Sequence, residues 1–201
     1  MKKNILILVL CCLICGVFAG EYTLYSGKCS EYNSIFENLI DKDFQIRYDD
    51  ENNQFYFYIS DWINTAWIVL SKEDLILMCK NFNKYFEWEK LAIEKSTKLE
   101  KELPESKIKT KVVWKFGDEW CNSDGFELNF MFFSQNTTRH QLVLYSNKVS
   151  ASRNQFITYK IDGLYFDLYQ VKDFYEALDE SKLDIQIQKI KSDKEIENLF
   201  N

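Results

Sequence analysis

The chain is poor in the residues from which most enzymatic machinery is built. It has one histidine, His140, one proline, Pro104, and six glycines. A single imidazole excludes HExxH sites and two-histidine metal triads. The sequence has no GxGxxG or GxxxxGK[ST] phosphate cradle and no GxSxG nucleophile elbow. It also lacks a CxxC pair, which removes dithiol redox centres and zinc knuckles. The expectation is a protein with no cofactor and no metal. Linkers rich in Pro, Gly or Ser, low-complexity tracts and internal repeats are missing too, which points to one domain.

What the chain does have begins at the N-terminus. "MKKNILILVLCCLICGVFAG" carries two lysines, an apolar run and then small residues. These are the three regions of a secretory signal peptide, with Val17 and Ala19 placed for cleavage after Ala19. The run is short of the roughly 20 apolar residues that a membrane span needs. Residues 1–19 therefore read as a Sec-type signal peptide and residues 20–201 as a single domain. The expected location is the periplasm or the exterior of a bacterium, with no stable membrane span after cleavage. None of Cys11, Cys12 and Cys15 follows a small residue, so a lipid anchor is not expected. Cleavage takes two lysines and no acid, so the net charge moves from −6 to −8. That sign repels nucleic acid.

Three cysteines remain. Cys79 falls on the apolar stripe of an expected helix and reads as buried. Cys29 in "SGKCSEY" and Cys121 in "DEWCNSDG" sit in turn-like surroundings and are the candidate disulfide pair.

Hydrophobic periodicity outlines the elements. "FQIRY" (44–48) and "QFYFYIS" (54–60) flank a polar loop and read as a hairpin, and "TAWIVLS" (65–71) as a third strand. Ser71 and Asp74 then open a helix with a capping-box spacing. Leu75, Cys79, Phe82, Phe86 and Ile93 stripe one face of it. It runs to about residue 101 before Pro104, with a break near "EKSTK", because about 45 Å of helix exceeds what a small domain uses. Strands return at 107–116, 126–134 and 140–146, with "GDEWCNSDG" as a loop. Asp162-Gly163 is a type I′ signal that would join "QFITYKI" to "LYFDLYQV" and pair Ile161 with Leu164, Tyr159 with Phe166 and Ile157 with Leu168. A helix covers "VKDFYEALDES", and residues 182–201 read as strand or helix. The expected fold is α+β: a largely antiparallel sheet of about six to eight strands with one long amphipathic helix packed on a face.

Two functional readings remain open. His140 shares strand parity with Leu142 and Leu144, which makes it a core-edge residue and not a base. Asp118, Glu119, Asp124 and Glu127 are the candidate carboxylates for a small secreted hydrolase, for which paired acids would be needed. They lack the alternating spacing of a calcium loop. Against these stands an aromatic content of 16%. Rings fall on both faces of several expected strands, and tyrosine combines an apolar ring with a polar tip. The favoured reading is a non-enzymatic exported binding module for a glycan, peptide or protein. Its expected contacts are Tyr56, Tyr58, Tyr165 and Tyr169 on the face opposite the core.

Overall fold

The computed structural model describes residues 20–33, 38–60, 65–104 and 107–198. The expected signal peptide at 1–19 lies outside them. Among the described residues, eleven strands and three helices follow in the order β1 (Glu21–Asn33), β2 (Asn38–Asp49), β3 (Gln54–Ser60), β4 (Thr65–Leu70), α1 (Lys72–Glu94), β5 (Glu100–Glu102), β6 (Ile108–Phe116), β7 (Glu119–Ser134), β8 (His140–Ser146), β9 (Val149–Ala151), β10 (Asn154–Tyr159), β11 (Leu164–Asp167), α2 (Leu168–Ala177) and α3 (Glu180–Asn198). Every strand pairing is antiparallel.

The fold is a closed barrel, which corrects the expected α+β sheet with a helix on one face. Eight strands run β7-β6-β4-β3-β2-β1-β11-β8, and β8 pairs back onto β7 to close the ring. Strands account for 51% of the structure. The ninth, β5, pairs with β7 at Glu100–Glu102, beyond the stretch of β7 that β6 covers. The closing strand β1 is the one the sequence hid, because "EYTLYSGKCSEYN" is polar and irregular. A register shift at Thr23/Tyr25 breaks its alternation.

An eight-stranded barrel has an interior just wide enough for side chains to fill it, and here rings do so. Phe44, Phe57, Phe126, Phe132 and Phe166 point inward and are almost fully buried. Gly27 makes room for this filling. A Cβ there would lie 2.7 Å from Cζ of Phe44, so the ring occupies the space a side chain would take.

Two helices close one mouth, at the end where β4 and β11 run out and β8 begins. Helix α1 does not lie on the outside of a sheet. It turns Leu75, Met78, Phe82 and Tyr85 toward the barrel, and the Tyr85 hydroxyl donates to the His140 carbonyl at 2.8 Å. Its N-terminus is the expected capping box: the Ser71 Oγ accepts from Asp74 N, and Asp74 accepts from Ser71 N. The helix stops at Glu94, and the chain then enters β5. Helix α2 places Phe174 at the centre of five rings, Tyr25, Phe44, Phe57, Phe82 and Phe166, with centroids 4.8–6.1 Å away. The other mouth is covered by the β9–β10 hairpin, whose Tyr159 stacks on Trp114 at 5.4 Å.

Two further local expectations are overturned. "GDEWCNSDG" is no loop. A two-residue turn at Gly117-Asp118, with Gly117 at φ +59°, leads straight into the 16-residue strand β7. The Asp162-Gly163 hairpin does not form either. Strand β10 pairs with β9, while β11 pairs with β1 and β8, and Leu164 faces Leu144 and Glu31. The backbone of Ile161 is instead tied to Ser146 through both its N–H and its carbonyl. Barrel closure supplies β11 with partners on both sides, and that outweighs the local turn preference. The tail is resolved as helix α3, held by Leu183 and Ile187 in the core and by Lys194 to Asp50 at 2.7 Å.

Candidate functional site

With the interior filled and both mouths covered, the surface open to a partner is the outer wall. Alternation along β3 sends Phe55, Phe57 and Ile59 inward and Tyr56 and Tyr58 outward. On β4 the same rule buries Ala66 and Ile68 and turns Trp67 out. On β7, Cys121 is buried and Trp120 is 52% exposed.

These outward rings meet. The Arg47 guanidinium lies 4.1 Å from the centre of the Tyr58 ring. Tyr58 is nearly parallel to Trp67, at 6.2 Å and 10°. Trp67 contacts Trp120 at 4.7 Å and 49°. Strand β6 lies between β4 and β7, so the Trp120 ring reaches back across it. Arg47 is itself fixed by Gln45 Oε1 at 2.8 Å and Glu21 at 3.4 Å. The result is a continuous strip from β2 to β6, roughly 14 Å wide at ~4.8 Å per strand. It ends in an indole with more than half its surface free. Such a strip offers π faces in series, with one cation held over the first of them.

The four expected tyrosines are not brought together. Tyr58 is in the strip. Tyr56 is beside it but committed elsewhere: its hydroxyl donates to Asp49 Oδ2 at 3.0 Å. Burial, and then that bond, push its pKa up to about 12. Asp49 also accepts from the backbone of Glu51 and from the backbone and amide of Asn52. Burial raises its carboxyl, but these bonds outweigh it and hold the pKa below the usual carboxylate range. This pair locks the β2–β3 turn. Tyr165 is on the outer wall of β11, away from the strip, in edge contact with Phe133 at 5.8 Å. Tyr169 is exposed but lies in α2, so the strand parity expected to align it with Tyr165 does not apply.

The sequence reading missed Trp67 and Trp120. Alternation within "TAWIVLS" marks Trp67 as outward, whereas Trp120 stood in a segment taken for a loop. Their contact crosses an intervening strand, and no local spacing encodes it.

The carboxylates of the rival reading are scattered. Asp118 is in the turn, Glu119 and Asp124 are exposed, and Glu127 pairs with Lys109 at 3.4 Å. His140 faces inward, 3% exposed, with Nδ1 bonded to Ser134 Oγ at 2.8 Å and its ring stacked on Phe132. The Ser134 hydroxyl also accepts from Leu99 N at 2.9 Å. Among the described residues, nothing partners His140 Nε2, so no carboxylate orients the ring as a base would require. Among the described residues, no group of three or more His, Cys, Asp or Glu is arranged to hold a metal, and no helix is long and apolar enough to cross a membrane.

All three described cysteines are free thiols. Cys29 is on β1 and Cys121 on β7, strands that are not neighbours in the barrel. Burial pushes the Cys29 thiol up to about 12 and the Cys79 thiol up to about 11. Cys29 donates to the Lys42 carbonyl and Cys79 to that of Leu178.

Comparison of the chain with protein-family models, with curated proteins and with solved structures finds no match in any of the three.

Proposed function

We propose that the protein is an exported, non-enzymatic binding module that holds an extended ligand against the Tyr58–Trp67–Trp120 strip. The observation that carries this reading is the contact between half-buried Trp67 and half-exposed Trp120, which leaves a broad aromatic surface in water. Export rests on the signal-peptide pattern of residues 1–19. A ligand with flat apolar faces at intervals, such as an oligosaccharide or an extended peptide, gains ring burial at each step. The acidic net charge argues against nucleic acid as that ligand.

Two of the five tryptophans of the chain lie in the strip, so their emission reports on it. Titration with chitohexaose, with cellohexaose and with unstructured peptides should quench or shift that emission for one ligand class. Trp120→Ala should abolish the change while leaving the melting temperature in place. Emission that responds to none of these probes, or a response that survives Trp120→Ala, overturns the reading. N-terminal sequencing of the exported protein, with Gly20 expected first, tests the location.

A further inference from the structure

A second feature of the outer wall stands on other residues and does not depend on the strip. Where the end of β1 and the start of β2 meet β7, β8 and β11, the wall holds a groove of about 430 Å³. Three rings line it, those of Tyr32, Phe133 and Tyr165, together with three amides, those of Asn38, Gln135 and Gln141. Leu39 completes the lining, and none of the seven side chains is charged at neutral pH. In a chain that is 28% charged, that neutrality sets the groove apart.

The groove is built and not a chance hollow. Gln141 is 1% exposed, and its Nε2 donates to Asp167 Oδ1 at 3.1 Å. Asp167 is held in turn by Nε and Nη2 of Arg139, at 3.0 and 2.9 Å. The amide is therefore fixed in orientation. Arg139 also fixes Gln135 by donating to its Oε1 at 2.8 Å, which leaves that amide's N–H groups to donate outward. The Tyr165 ring is seated against Gly163: a Cβ at that position would meet the ring at 3.0 Å and Val143 at 3.3 Å. Phe133 meets the same ring edge-on at 80°. Tyr32, 49% exposed, provides a further ring at the open side.

We infer that this groove binds a neutral sugar residue. A pyranose has a C–H face that packs on a ring and hydroxyls at its edge that pair with amide donors and acceptors. Rings and fixed amides without charge match both needs at once. An ionic ligand would find no counter-charge in the lining. The Gln141 amide, held by Asp167, presents its polar edge to a ligand hydroxyl without first having to be ordered. The volume falls within the ordinary range of small-ligand sites.

Saturation-transfer NMR and calorimetry with methyl glycosides of glucose, galactose, mannose and N-acetylglucosamine test the inference on the full exported chain. At least one should bind, with saturation transfer strongest at its C–H face, and an anionic uronic acid should bind less well. Tyr165→Ala and Phe133→Ala should each weaken that binding roughly tenfold or more. Tyr32→Ala, at a more exposed ring, keeps the test valid if either of those variants melts early. Repeating the titrations in the Trp120→Ala background, where the strip is broken, confines the signal to the groove, so failure here and failure of the strip are distinguishable. The inference is overturned if no neutral glycoside shows saturation transfer at millimolar concentration. It is equally overturned if binding persists in folded Tyr165→Ala and Tyr32→Ala, or if peptides or the uronic acid bind better than every neutral sugar.

Discussion

The two faces of β2, β3 and β4 carry similar residues and put them to different uses. Inward, Phe44, Phe55, Phe57 and Ile68 are at most 3% exposed and have neighbours on all sides. Outward, Tyr56, Tyr58 and Trp67 are half-buried and touch one or two ring or polar partners each. An aromatic ring gains from burial on either face, but only the inner face removes it wholly from water. Inside, ring content determines stability. Outside, it leaves binding surface. Tyrosine and tryptophan occupy the outer positions because a polar tip can remain hydrated or bonded while the ring packs. Phenylalanine dominates inside, where a hydroxyl would need a partner.

The comparison can be broken hardest at Phe174, the ring on which five others converge. Phe174→Ala should destabilise the fold by about 3–5 kcal/mol, as for other buried rings, measured by urea or thermal unfolding. A loss similar to that of an outer-wall variant would refute the role given to the inner rings. Next comes the reverse insult, adding an atom to the interior. Gly27→Ala directs a methyl at the Phe44 ring from 2.7 Å and should cost about 1–3 kcal/mol through overpacking.

Smaller effects belong to the outer polar tips. Tyr56→Phe removes one of the four donors to Asp49 and should cost about 1 kcal/mol. The same pair gives the acid limb of stability a defined sign. Asp49 has its carboxyl held below the unfolded value of about 3.9, so its contribution is complete above that pH and fades as pH falls through the folded value. Unfolding free energies compared at neutral pH and near pH 3 should show a smaller acid loss in Asp49→Asn than in the parent chain. The smallest change in stability is expected at Trp120. Trp120→Ala should shift unfolding by no more than about 0.5 kcal/mol, the usual surface range, while removing the ligand response of the strip. If it proves as destabilising as Phe174→Ala, the strip is a structural brace.

Local signals in the sequence were reliable where neighbours in sequence are neighbours in space. The Ser71–Asp74 box, the 44–60 hairpin and the strand at 140–146 all follow from patterns within one or two turns of chain, whereas the helix expected from Val171 starts three residues earlier, at Leu168, and ends at Ala177. Of the candidate sites, alternation alone placed Tyr58 and Tyr165 on an outer face. It could not place Trp120 beside Trp67, or Tyr32 and Phe133 beside Tyr165, because those residues meet across strands far apart in sequence. The Asp162-Gly163 turn marks the limit. Its dipeptide favours a hairpin, yet β1 and β8 each claim β11 and the ladder bonds they provide outweigh one turn preference.

By itself, the sequence determined several local elements, the antiparallel character, the single imidazole and which residues on a strand share a face. Each depends on composition or on a period of two or 3.6 residues. Only the tertiary structure decided that the sheet closes on itself and that α1 and α2 close one of its mouths. The same holds for which outward rings touch. Closure is set by pairings between β1 and β11 and between β7 and β8, made through backbone N–H and carbonyl groups that every residue but proline carries. No side-chain pattern names such a partner in advance. It is settled by which arrangement closes the eight strands into a ring while burying the rings of β1, β2, β3 and β11 around Phe174.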